Sequence, residues 1–361
     1  MEPDPKTFKV ALTGGGTLGH IVPGLAVASK LSSLGCSVSW IGSKSESEKQ
    51  FIEKRGIRFY PVSSGKLRRY FSLSNFAMPF QVAAGFFQAR RILRSLKPDV
   101  LFSKGGFVSV PVARAAHSLG IPVVTHESDS SCGLATRLIA RYCNAVCLGD
   151  SRCMIKTEAA VHYTGNPIRE DIKDGDAQRF GQKNGLEKGI PVVLVLGGSQ
   201  GAVKLNETIA SGMSRLYPRC QVVLQTGKGK LLGHAIKGLF QFETFDDDLG
   251  DALAAADLVV SRAGAGAIAE LSSLDKPVIY IPLGLDASRG DQIANARAEE
   301  EAGRAEVTDY EKAVEKILEL IDNESQRKSM SEACAGSPVR DSALEIAKIV
   351  LEVASDGSEC R

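Results

Sequence analysis

The sequence predicts an α/β protein built as two Rossmann-like domains facing a central cleft, and three observations carry that prediction. A glycine-rich turn stands in each half, at FKVALTGGGTLGH and at PVVLVLGGSQG, directly after an apolar strand and before a helix. Strand-like and helix-like patterns alternate along the chain, as in a parallel sheet. The alternation breaks at the polar stretch DIKDGDAQRFGQKNGLEKG and restarts at PVVLVLGG. Glycines let a backbone approach a ligand closely, and the free N–H groups at the following helix start favour negative charge. Phosphate is therefore the first ligand expected at such turns.

In order, FKVALTG, SVSWIGS, DVLFSKG, PVVTHES, NAVCLG and AVHYTG read as short apolar strands, with IVPGLAVASKLSSLG and SVPVARAAHSLG as helices between them. The boundary falls between Asn166 and Gly189, which gives a first domain of residues 1–166 and a second of residues 167–340. The second half adds PVVLVLGG, QVVLQTG, DLVVSRAG, PVIYIPL and RAEVTD as strands. The last helical segment, SALEIAKIVLEVA, lies beyond them, and its pattern leaves open whether it caps the second domain or crosses back to the first.

A chain of 361 residues suffices for two cores, and 43% hydrophobic with 24% charged residues is the balance of a soluble globular protein. A net charge of +2 argues against a general nucleic-acid binder. MEPDPKTFKV lacks the features of a signal peptide and no stretch is apolar over the length of a membrane span, so the protein is read as cytosolic. The eight cysteines are then reduced thiols. Cys143, Cys147 and Cys153 lack CxxC spacing and have only His162 nearby, so they read as buried small hydrophobes and not as a zinc site.

Gly14, Gly16 and Gly19 satisfy GxGxxG, which raises a dinucleotide site. Such a site needs an acid at the end of the next strand for the ribose, yet that strand ends WIGSKS and the nearest acid, Glu46, lies further out. The dehydrogenase reading is disfavoured. His20, at the end of the turn, reads as a reactive group over a structural one.

TGGGTLGHIVPGLAVA, SKGGFVSVPVARAA, HESDSSCGLATR, TGNPIRE, LGGSQGAVKLNE, SRAGAGAIAE and RGDQIANA occur in the order found in the MurG family, and the chain resembles these N-acetylglucosaminyltransferases of bacterial cell-wall synthesis from end to end. The resemblance implies the GT-B fold, with UDP-N-acetylglucosamine (UDP-GlcNAc) held mainly by the second domain. It implies a first domain that takes the acceptor, associates with the membrane and receives the helix of residues 341–361. The implied reaction moves GlcNAc, with inversion, to the C4 hydroxyl of the muramyl sugar in lipid I, giving lipid II. Neither a cofactor nor a structural metal is expected. The implied partners are UDP-GlcNAc, lipid I, the anionic cytoplasmic face of the plasma membrane and other cell-wall synthesis proteins, with no nucleic acid.

This chemistry needs a nucleoside anchor, stabilisation of the leaving diphosphate and a base. Glu270, in AGAGAIAE, can accept both ribose hydroxyls, as the family's matching Glu does; its bland alternative is a solvated helix-surface acid. Ser199, the amides from Gly198 to Gly201, and Arg169 of NPIRE are placed for the leaving group; otherwise they are a helix cap and a linker residue. Arg262 ranks below them. Asp291, Gln292 and Asn295 can read sugar hydroxyls, and Gln292 carries that inference because Asp291 replaces the first of two glutamines common in the family. On the acceptor side His20 is the expected base and Glu127 the acceptor binder or second candidate, while His126 either acts there or orients the loop from a buried position. The resemblance extends the donor set to Thr17, Gly19, Gln200 and Gly201, and the acceptor set to Gly15 and Gly16. Leu18, Phe107 and Asp129 depart from the family's usual Gly, Tyr and Asn, and Asp246, Asp247 and Asp248 read as a solvated loop.

GKLRRYFSLSNFAMPFQVAAGFFQARRIL interleaves Lys66, Arg68, Arg69, Arg90 and Arg91 with Tyr70, Phe71, Phe76, Phe80, Phe86 and Phe87. Basic groups around an exposed aromatic face suit an anionic membrane; the alternative is that these aromatics are core faces. Two competing functions remain: an epimerase or glycolipid synthase of the same fold, and a non-catalytic nucleotide-sugar-binding module at the membrane.

Overall fold

The computed structural model describes residues 7–65, 74–198, 201–245, 247–284, 290–336 and 341–359. The chain divides into two units: one runs through Arg169 and takes back the segment from Asp341 onward, and the other begins at Glu170.

The first unit is a parallel sheet of β1 (Lys9–Thr13), β2 (Ser37–Gly42), β3 (Arg58–Pro61), β4 (Val100–Ser103), β5 (Val123–Glu127), β6 (Ala145–Leu148) and β7 (Ala160–Tyr163), in the order β3-β2-β1-β4-β5-β6-β7. Between the strands run α1 (Leu18–Ser33), α2 (Glu46–Glu53), α3 (Ser74–Leu96), α4 (Ser109–His117) and α5 (Leu134–Ile139). VLFS, VVTHE and AVCL are buried at every position, as strands covered on both faces must be. The chain winds outward from β1 through β3, then returns to place β4 on the other side of β1. The topological switch point thus lies between β1 and β4, where the turns that follow these strands, at Gly14 to Gly16 and at Gly105 to Gly106, meet.

The second unit repeats the scheme. Helix α6 (Ala177–Asn184) precedes β8 (Val192–Leu196), α7 (Val203–Leu216), β9 (Gln221–Gln225), β10 (Leu239–Phe242), α8 (Leu249–Ala255), β11 (Leu258–Ser261), α9 (Ala265–Ser273), β12 (Val278–Tyr280), α10 (Asp291–Glu301), β13 (Ala305–Val307), α11 (Ala313–Asp322) and α12 (Glu324–Ala335). The parallel order β10-β9-β8-β11-β12-β13 puts the switch point between β8 and β11. The final helix, α13 (Ser342–Glu359), packs in the first unit, where Ile346, Ala347, Val350 and Ala354 join Val10, Leu12, Leu25, Leu31, Phe102 and Val124 in one core.

Three details differ from the sequence reading. The division falls after Arg169, three residues beyond Asn166; Asn166 itself is tied to the first unit, its Nδ2 donating to the Ser128 carbonyl at 3.1 Å, and Ile168 just beyond it is buried. The polar stretch before β8 is no mere linker, since it contains α6. Asp176 caps that helix, Phe180 is buried, Arg179 Nε donates to Asp251 Oδ2 at 2.6 Å, and Gly185 ends it in the left-handed region at φ 72°. The edge strands β3 and β10 escape the pattern altogether. The cysteines behave as small hydrophobes: Cys147, Cys153, Cys220 and Cys334 are buried and Cys143 is half-buried.

Candidate active site

The first turn, Gly14 to Gly16, is fixed by two side chains. Trp40, wholly buried on β2, donates its indole N–H to the Gly14 carbonyl at 3.1 Å, and Gly24 of α1 gives the ring room, since a Cβ there would stand 2.5 Å from it. Glu48 reaches back from α2: Oε2 accepts from Gly16 N–H at 3.2 Å and from Ser43 Oγ at 2.7 Å, and Oε1 accepts from Ser43 N–H at 2.9 Å. Gly15 lacks a Cβ for the same reason, because one would lie 2.4 Å from Glu48 Oε1. The anion bound to Gly16 N–H is thus the protein's own carboxylate. Glu46 lies in the first turn of α2.

At the start of α1, Thr17 and Gly19 are exposed and His20 is half-buried, with Nδ1 buried and without a hydrogen-bond partner among the described residues. Burial holds the His20 pKa down to about 4; the Lys104 ammonium acts in the same direction, while the Glu127 carboxylate and the Lys104 carbonyl oppose them. At neutral pH this imidazole is uncharged and able to accept a proton. Glu127, buried at the end of β5, is held by three backbone donors: Oε1 accepts from Ser128 N–H at 2.9 Å and Asp129 N–H at 3.3 Å, and Oε2 from Gly133 N–H at 2.9 Å. A carboxylate fixed this way shapes the turn and supplies charge near His20. His126 is buried with Nε2 2.9 Å from the Gly165 carbonyl, so it braces the chain end of this unit from inside.

After β4 the chain must bend past His20, and Gly105 and Gly106 do so at φ 86° and 82°. A Cβ on Gly106 would stand 2.8 Å from the Gly15 carbonyl oxygen and 3.2 Å from His20 Cδ2. Gly106→Ala is expected to add about 1–2 kcal/mol of left-handed strain to that collision, lowering Tm by at least ~3 °C and lowering turnover. Gly120→Ala, with φ 67° and nothing within 4 Å, is the control that carries the strain without the collision. Thermal unfolding and initial rates of the two variants decide it.

In the second unit the turn after β8 passes through Gly198 at φ 85° to Gly201 at φ 67°, where a Cβ would lie 2.2 Å from the Thr226 carbonyl oxygen. Ser199 and Gln200 lie outside the described residues. Asn206 Nδ2 donates to the same Thr226 carbonyl at 2.9 Å, and its Oδ1 is buried without a partner among the described residues. Arg262, after β11, is a buried strut: Nη1 donates to the Ile281 carbonyl at 2.7 Å, and Nη2 donates to the Tyr310 hydroxyl, whose ring also meets Lys204 Nζ at 4.6 Å. Its guanidinium organises the strand ends. Half-buried Glu270 stands on α9, whose amino terminus at Gly264 has no side-chain cap. Gln292 Oε1 accepts from Leu283 N–H at 3.1 Å, and Asn295 Nδ2 donates to the Ala263 carbonyl at 3.3 Å, so α10 is tied to the turns after β12 and β11. Gly201, Glu270 and Gln292 belong to this unit, whereas Arg169 is half-buried in the first.

Glu48 and Lys104 were not among the residues singled out from sequence. Lys104 stood within the quoted SKGG motif, and an unpaired lysine at a strand end was the available signal; Glu48 looked like any acid on a short surface helix.

The sequence pattern of the glycosyltransferase family 28 N-terminal domain matches residues 10–148, and that of the corresponding C-terminal domain matches residues 192–346. The chain is 44% identical over 314 residues, 86% of its length and 88% of the other, to the UDP-N-acetylglucosamine--N-acetylmuramyl-(pentapeptide) pyrophosphoryl-undecaprenol N-acetylglucosamine transferase of Clostridium botulinum strain Hall. It is 43% identical over 318 residues, covering 87% and 88%, to the enzyme of that description in Clostridium perfringens. Among solved structures, Acinetobacter baumannii MurG superposes with TM-score 0.73 at 23% identity over 96% of this chain and 100% of that one. The glycosyltransferase of kitacinnamycin gives TM-score 0.74 at 17% identity over 97% and 100%. These likenesses establish the GT-B fold of two Rossmann-like domains. The chain belongs to glycosyltransferase family 28, among the UDP-N-acetylglucosamine--N-acetylmuramyl-(pentapeptide) pyrophosphoryl-undecaprenol N-acetylglucosamine transferases.

Proposed function

We propose that the two units divide one reaction between them, with the donor on the second and the acceptor on the first. The chain is an enzyme that transfers GlcNAc from UDP-GlcNAc onto lipid I, forming lipid II in peptidoglycan synthesis. One observation supports the division of labour more than any other: the first glycine turn already holds the Glu48 carboxylate, which repels a diphosphate, while the described part of the second turn carries no such acid.

In this reading Glu270 accepts the ribose hydroxyls, Gln292 presents its amide NH2 to the sugar, and Gly201 lets the backbone close on the diphosphate with Ser199 and Gln200. Arg169, Thr17 and Gly19, which the family resemblance adds to the donor residues, belong to the first unit. The C4 hydroxyl of the acceptor attacks the anomeric carbon as its bond to the diphosphate breaks, UDP leaves with the electron pair, and His20 takes the hydroxyl proton, so the product is inverted. Gly15, Gly16 and Glu127 shape the acceptor's surroundings. The reading is tested by withholding the acceptor. UDP release from UDP-GlcNAc alone is expected to stay at background, and acceptor-independent release would point to an epimerase or hydrolase.

Helix α3 supports a membrane-facing role for the first unit. Phe80 and Phe87, seven residues apart and so on one face, are 79% and 68% exposed, and Arg91 and Arg94 are exposed one to two turns further on. Lys66, Arg68, Arg69, Tyr70, Phe71 and the Phe76 side chain lie outside the described residues. Phe86 is half-buried against the core formed with Leu93 and Val112, so only part of the aromatic stretch faces outward. No described helix is long and apolar enough to cross a membrane. The double variant Phe80→Ser, Phe87→Ser is expected to weaken sedimentation with phosphatidylglycerol vesicles by at least about tenfold, with little change on neutral vesicles, where binding starts weak.

A further inference from the structure

Lys104 is the most unusual side chain in the first unit. It is 2% exposed, packed by its Cβ against Gly14 and Gly24 and pinned by its own N–H on the Thr13 carbonyl at 2.8 Å. Its Nζ donates to Ser128 Oγ at 2.7 Å. Several buried polar atoms of this unit lack partners among the described residues: Thr13 Oγ1, His20 Nδ1, His126 Nδ1 and, on the residue whose Nδ2 donates to the Ser128 carbonyl, Asn166 Oδ1; the Lys104 charge acts on both histidines. An apolar side chain of similar length would fill this space without the cost of burying a charge, which is several kcal/mol even after relaxation.

We propose that Lys104 is a positioning residue of the transfer reaction: its ammonium anchors the Ser128 turn that carries Glu127, and it sets a fixed positive charge beside His20. This rests on the reading of His20 as the base. The charged groups acting on His20 are Lys104 after β4 and Glu127 at the end of β5; Asp129 acts on Lys104, buried His126 feels the same ammonium, and Glu48 of α2 is held on Gly16 N–H. Burial draws the Lys104 pKa down to about 8 while Glu127 and Asp129 oppose it, so the ammonium persists at neutral pH. A second cation next to it is disfavoured. The imidazolium formed when His20 takes the acceptor proton is therefore driven to release that proton to solvent, which returns the base to its uncharged form for the next turnover.

The test is a histidine NMR titration of the full chain, with the His20 signal identified by its loss in His20→Gln, alongside the acid limb of kcat/KM. In Lys104→Met the His20 midpoint is expected to rise by about one pH unit, since the Glu127 charge then opposes burial without the ammonium against it, and the acid limb rises with it. Lys104→Gln keeps a partner for Ser128 without the charge and gives the same rise, which serves if the methionine variant does not fold. Ser128→Ala, which removes the anchor but not the charge, lowers kcat and leaves the midpoint in place. A His20 midpoint unchanged in both Lys104 variants overturns the proposal. A shifted midpoint with an unmoved rate limb shows the Lys104 charge acting on His20 but removes His20 as the base, and with it the part of Lys104 in regenerating that base.

Discussion

His20→Ala lowers kcat by about 10²–10⁴-fold with little change in KM for UDP-GlcNAc, because a general base acts when the proton moves and contributes little to holding the donor. The same residue fixes the acid limb of the pH profile. A histidine with an ordinary pKa would lose base activity below about pH 6.5, but His20 is held at about 4, so the rate is expected to persist through pH 5 and fall only near pH 4. The sign follows from the cause: burial and the neighbouring ammonium disfavour the charged imidazole, so protonation, and with it loss of the base, is pushed to lower pH. An unchanged turnover in His20→Ala would show that another group takes the proton.

Glu270→Ala has its effect on the other substrate. A carboxylate that accepts two ribose hydroxyls makes charge-assisted hydrogen bonds of about 1.5–3 kcal/mol each, so KM for UDP-GlcNAc is expected to rise at least about 100-fold with kcat reduced far less. Glu270→Gln, which keeps one acceptor oxygen, should fall between. Steady-state rates at varied donor concentration separate the cases, and a loss confined to kcat would place Glu270 away from the nucleoside.

The fold was legible because its strands are short apolar runs buried on both faces, and such runs stand out wherever they end at glycine. VVLVL before GGSQG and VALT before GGG are of this kind. β3, RFYP, and β10, LFQF, were hidden because each is a four-residue strand at a sheet edge, with polar residues in the run. α6 was hidden in a charged stretch whose single buried residue, Phe180, leaves almost no apolar stripe. The site divides in the same manner. His20, Glu127 and Glu270 stand out as candidates because strand ends and glycine turns are where this architecture places ligands. Glu48 and Lys104 could not, because their importance comes from contacts over 32 and 24 residues of sequence, to Gly16 and Ser128. Arg262 illustrates the converse: its position beside a glycine turn suggests a ligand neighbour, while its guanidinium is engaged by the Ile281 carbonyl and Tyr310.

The most direct measurement combines the purified chain with labelled UDP-GlcNAc and a short-chain lipid I analogue, following the label and the UDP together. One UDP released for each labelled lipid-linked disaccharide formed, only when the acceptor is present, is the predicted result. Donor bound without any release, or UDP released with no disaccharide, would contradict it.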